Sequence, residues 1–136
     1  MKTLSTLLAA SLLSFNALAG IVVLGHPSGV DALSQNEVQN LFMGKSTKLS
    51  NGANAQIVEL NDGAAGRIAF HQVATGRSEA QIQSGWARLV FTGKAQAPIQ
   101  VANDAAVVTT IAGNPNAIGY VDESAVTADV KVLLRY

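Results

Sequence analysis

Beyond residue 19, the apolar positions of the chain fall into short clusters whose spacing switches between the strand period and the helix period. "GIVVLG" (Gly20 to Gly25) is a β-branched run closed by glycine and predicts a buried strand, followed by turn residues in "HPSGVDA". In "LSQNEVQNLFMGK" the stripe of Val38, Leu41 and Phe42 predicts a helix. Ser34 and Glu37 form its capping box, and Gly44 stands where a left-handed C-terminal cap belongs. A Ser/Asn/Gly-rich loop leads to "QIVEL", a strand placing Ile57 and Glu59 on one face and Val58 and Leu60 on the other. A helix is expected from about Ala64 to Thr75, stopped by Gly76. The next begins at a second capping box, Ser78 with Gln81, and carries Ile82, Trp86, Leu89 and Val90 at helical spacing, with Trp86 in the core. "APIQVA" (Ala97 to Ala102) reads as a strand. Asn103 then caps a helix that points Val107, Val108 and Ile111 inward and ends at Gly113 and Pro115. "AIGYVD" and "VKVLLRY" close the chain as strands. The order βαβααβαββ predicts an α/β domain in which helices cover a parallel or mixed sheet.

The first 19 residues have a different character. Lys2, the apolar run "LSTLLAASLLSF" and the small residues of "ALA" form a secretory leader with cleavage expected after Ala19, which predicts export to the periplasm. The run is too short for a stable membrane anchor. With no Cys in the chain, disulfides and Cys-linked lipidation are excluded, so residues 20–136 must hold together as one domain through their core alone. Lys+Arg and Asp+Glu are 9 each, and loss of Lys2 with the leader leaves a slight acidic excess. Nucleic acid therefore has no electrostatic basis as a partner.

Chemistry in an α/β sheet gathers where strands end and helices begin, because unpaired N–H groups and the positive end of the helix dipole meet there. Three such places are Asn61 to Arg67, Arg77-Ser78 and Asn103-Asp104. In the first, Gly63 and Gly66 would let backbone approach a bound group, and Arg67 and His71 share a helix face four residues apart. One reading is anion capture by free amides and a guanidinium. The other is a solvated helix start with a surface Arg and His, in which Asp62 would repel an anion. His26 and His71 lack metal-ligand spacing, no G-x-S-x-G elbow occurs, and Asp122-Glu123 suits solvation better than paired acid–base work. No metal, cofactor or enzymatic activity is expected.

"LFMGK", "VFTGK" and "NAIGYV", in that order within the stretch from Leu33 to Ser124, resemble the substrate-binding proteins of phosphate ABC transporters, and in particular their small single-domain periplasmic relatives. The resemblance implies one lobe of a type II periplasmic-binding-protein-like fold, a mixed sheet flanked by helices, where the full-length family closes two lobes over a phosphate. It also implies a role linked to phosphate transport. The family's second-lobe loop, an Arg followed by Asp-Gly-Ser-Gly-Thr-Thr, aligns with "LNDGAAG": Asp62, Gly63 and Gly66 are kept, while Ala64 and Ala65 stand at hydroxyl positions. The implied ligand-binding set is Asp62, Gly63, Ala64, Ala65, Gly66 and Arg67, with Arg77 and Ser78 as the next wall. Two amides and one guanidinium at about 1.5–3 kcal/mol each barely offset an association cost of roughly 4–15 kcal/mol. A single lobe is thus expected to bind phosphate or a similar small oxyanion weakly unless a homodimer or an envelope protein supplies a second surface. The competing expectation is a module that kept the scaffold, lost the ligand and binds an envelope partner.

Overall fold

The computed structural model describes residues 20–136; the leader and its cleavage point lie outside the described residues. The elements run β1 (Ile21–Gly25), α1 (Gln35–Phe42), β2 (Gln56–Leu60), α2 (Ala65–Ala74), α3 (Glu79–Phe91), β3 (Ile99–Val101), α4 (Asp104–Ala112), β4 (Ala117–Asp122) and β5 (Lys131–Arg135), with a 3-10 turn at Glu123–Ala125. This is the expected order. The five strands form one mixed sheet in the order β3-β2-β4-β1-β5, with β2 parallel to both β3 and β4, and β1 antiparallel to both β4 and β5.

Local chemistry accounts for the helix boundaries. Both capping boxes form: Ser34 Oγ accepts from Glu37 N–H while the Glu37 carboxylate accepts from Ser34 N–H, and Ser78 and Gln81 repeat the exchange. Asn103 accepts from Ala106 N–H at the start of α4. At the other ends, α1 and α3 stop at Gly44 and Gly93, whose φ of 70° and 72° is the left-handed turn that glycine takes at least cost.

Helices cover both faces of the sheet, which is why β2 and β4 are buried almost throughout. Adjacent residues of β4 show the two sides. Gly119 lies against Val107 and Ile111 of α4, whereas the Tyr120 ring stacks on Phe70 of α2 at 3.9 Å and meets Phe42 of α1 edge-on at 5.7 Å. The α1–α2 side therefore carries the aromatic core.

The expected stripe on α3 is only partly internal. Ile82 is buried, Trp86 and Leu89 are half-buried, and Val90 is exposed, because α3 packs on α2 at the margin of the domain and little lies beyond it. Trp86 leans on the core and donates its indole N–H to Phe42 O at 3.0 Å. Strand β3 is shorter than expected and forms a mostly exposed sheet edge.

Candidate functional site

The turn after β2 is where the sequence places an anion cradle, and its backbone donors are mostly committed to the protein itself. Asn61 N–H donates to Val101 O, Asp62 N–H to the Gln100 side chain, Gly63 N–H to the Glu79 carboxylate and Ala64 N–H to Asn61 O. Gly63 has φ 77° and open space around its Cβ direction, so its glycine serves the turn's geometry rather than close approach to a ligand. Among the described helices only α2 starts without a side-chain cap, at the amides of Ala65, Gly66 and Arg67.

Arg67 is 2% exposed. Its guanidinium turns under the loop and meets Leu60 O at 3.2 Å, the Glu79 carboxylate at 3.0 Å, Asp62 at 3.2 Å and Glu59 at 3.7 Å. The charge assigned to a bound anion is thus surrounded by three carboxylates and a carbonyl. Burying a guanidinium is tolerable only with such partners, and once they are in place the local field is negative. This differs from both expectations for Arg67, as an anion ligand and as a solvated surface residue.

His71, on the same face of α2, is equally internal. Its Nε2 lies 2.9 Å and 3.0 Å from the two Glu59 oxygens, and its Nδ1 lies 3.1 Å from Thr75 Oγ1. Glu59 itself is fully buried between the two basic side chains. Tyr120 completes the cluster: its hydroxyl accepts from Leu60 N–H at 3.2 Å, and burial together with the nearby Glu59 charge pushes its ionisation far above the usual phenol range. The arrangement can hold β2, α2 and α3 in register. The Glu59–His71 pair is sealed from solvent, whereas Arg67 and Asp62 border a recess of about 360 Å³ shared with Gln83, Trp86 and Gln100.

Glu79 ties α3 to the turn. Burial alone would raise its carboxyl, but hydrogen bonds from Gln83, Gly63 N–H and Arg67, with the Arg67 charge, hold it below the usual glutamate value. A depressed carboxylate stabilises the fold above its unfolded-state pKa, and that contribution disappears as pH falls through the lower folded-state value. Urea unfolding is expected to show stability declining on acidification below about pH 4.5, with a shallower decline in Glu79→Gln. An unchanged slope in the variant would contradict this assignment.

The remaining predicted residues separate. It is Glu79, not Arg77-Ser78, that forms the turn's next wall. Ser78 is spent as an N-cap, and Arg77 lines a different cavity beside Lys45 and Arg88. Asn103-Asp104 does approach the turn, since Asp104 and Gly66 line one small cavity of about 130 Å³, but Asn103 caps α4 and Asp104 accepts from Asp122 N–H. The sequence reading missed Glu59 and Tyr120 as members of the cluster. The signal for Glu59 was a carboxylate inside an otherwise apolar strand with basic residues one and two helical turns into the next helix.

No family profile and no curated protein matches the sequence. Solved structures do match. An ABC-type phosphate transport receptor from Vibrio cholerae superposes with TM-score 0.66 at 16% identity, over 84% of this chain and 45% of the receptor. A putative phosphate ABC transporter substrate-binding protein from Clostridium perfringens, solved with bound phosphate, gives 0.65 at 24% identity over 84% and 44%, and PstS from Borrelia burgdorferi gives 0.64 at 10% identity over 84% and 46%. The fold is that of phosphate-transport receptors. This chain spans less than half the length of those proteins, as the single-lobe expectation requires. At these identities the likeness concerns architecture.

Proposed function

We propose that the chain is an exported, non-enzymatic binding module that keeps the scaffold of a phosphate-receptor lobe but has converted the phosphate turn into an internal strut. The observation that carries this reading is Arg67, which is buried and paired to Glu59, Asp62, Glu79 and Leu60 O while Glu79 also occupies the Gly63 amide. A phosphate entering there would have to displace a carboxylate from a buried guanidinium, so it would gain only the difference between two charge-assisted pairings. Export rests on the leader-like residues 1–19. Among the described residues, no helix is long and apolar enough to cross a membrane. Binding of an envelope protein fits the exposed apolar side chains Val90, Phe91 and Ile99, of which Phe91 is 92% exposed.

A second reading, weak oxyanion capture at the start of α2, is favoured by the uncapped amides of Ala65, Gly66 and Arg67. Calorimetric titration with phosphate and with sulfate separates the two. The leading reading predicts no saturable sub-millimolar binding to either anion. A sub-millimolar phosphate isotherm that persists in an Arg77→Ala/Arg88→Ala variant, and so belongs to the α2 turn, would overturn it.

A further inference from the structure

The two "GK" turns that punctuate the sequence have the same geometry. In "LFMGK", Gly44 N–H donates to Leu41 O at 3.1 Å and Lys45 N–H to Asn40 O at 2.9 Å; in "VFTGK", Gly93 N–H donates to Val90 O at 3.1 Å and Lys94 N–H to Leu89 O at 2.9 Å. Both are Schellman closures. The space where a Gly44 Cβ would sit is filled by Leu89 and Trp86, so the end of α1 rests on α3. Alongside that contact is a cavity of about 430 Å³, lined by Lys45, Arg77 and Arg88 around Ile82, Trp86 and Leu89.

Three facts separate this cavity from an ordinary solvated surface. No Asp or Glu lines it. None of its three cations is in an ion pair among the described residues, whereas Arg67, Lys131 and Arg135 each are. The chain as a whole is charge-balanced, so the cluster is a matter of placement and not of composition. Charges of one sign in a recess with low-dielectric walls reinforce each other's field. Beneath them Ile82 is buried, and Trp86, its indole N–H already given to Phe42 O, offers apolar surface.

From this we infer that the α1–α3 cleft is a binding site for a small organic anion, a compact apolar body bearing one phosphate or sulfate group. The anionic group sits among Lys45, Arg77 and Arg88, and the body lies against Trp86 and Leu89. The volume is within the ~300–1,000 Å³ of small-molecule sites. The site is separate from the turn at Gly63, and it goes beyond the proposed function by naming a ligand class and a place.

Trp86 is the chain's single tryptophan; it lines this cleft and also borders the neighbouring recesses beside Thr47 and beside Asp62, so the Arg77 and Arg88 variants, which belong to this cleft, assign the signal. Titration with phenyl phosphate is expected to give a saturable fluorescence change at sub-millimolar concentration, at least about tenfold tighter than inorganic phosphate or benzyl alcohol, each of which supplies half of the recognition. Arg77→Ala and Arg88→Ala, both at exposed positions, are each expected to weaken binding by roughly three- to tenfold with an unchanged circular-dichroism spectrum, and added salt to weaken it further. The inference is overturned if phenyl phosphate gives no saturation up to about 10 mM. It is equally overturned if benzyl alcohol binds as well, or if the double variant binds as the parent does.

Discussion

Arg67→Ala is expected to destabilise the protein by about 3–5 kcal/mol, because it leaves the buried Glu59 carboxylate without its guanidinium counter-charge. For a domain of this size that is a fall of roughly 10–20 °C in Tm. Glu59 is fully buried, and the guanidinium opposes it together with Glu79 and Asp62 while also satisfying Leu60 O. Lysine should not rescue the loss. A single ammonium cannot reproduce the planar fork that serves a carbonyl and a carboxylate together, so Arg67→Lys is expected to recover less than half of it. Glu59→Gln should cost less than Arg67→Ala, since Arg67 would keep Glu79 and Asp62. Thermal and urea unfolding of the three variants check this ranking. If Arg67 were a ligand-facing residue, its alanine variant would unfold within about 0.5 kcal/mol of the parent, as surface substitutions do.

The second large effect concerns the paired turns. Gly93→Ala is expected to cost about 1–2 kcal/mol, the price of a side chain at positive φ in otherwise open space. Gly44→Ala carries the same backbone cost and in addition drives its Cβ to 2.4 Å from Leu89 Cδ1 and 3.2 Å from the Trp86 ring. Overpacking adds about 1–3 kcal/mol, for a total of roughly 2–5 kcal/mol. The difference between the two variants measures the α1–α3 contact that walls the cationic cleft. Unfolding midpoints give that difference directly, and equal losses would show that α1 does not rest on α3 at Gly44.

Much of the architecture was legible because it is written locally. Capping boxes, glycine stops and the switch between the two periodicities act over a few residues, and they place every helix and strand in the observed order. The site was legible only in part, for a physical reason. Spacing shows that Arg67 and His71 share a helix face; it does not show whether that face meets solvent or the sheet. The deciding residue was Glu59. A strand buried on both sides cannot carry a carboxylate without a buried partner, so "QIVEL" already demanded a cation, and Arg67 and His71 were the next two basic residues along the chain. The α3 stripe failed in the opposite sense, since its period is right but the helix lies at the domain margin, where only Ile82 is fully covered. Convergence of Lys45, Arg77 and Arg88 depends on how α1 packs against α3, and no local pattern encodes it.

The central claim is that the turn at Gly63 is closed by the protein's own acceptors, and amide-resolved NMR during a phosphate titration tests it most directly. The Gly63 amide, held by Glu79, is predicted to keep its chemical shift as phosphate is raised to roughly 10 mM. A saturable shift of the Gly63 and Gly66 amides at sub-millimolar phosphate would contradict the account.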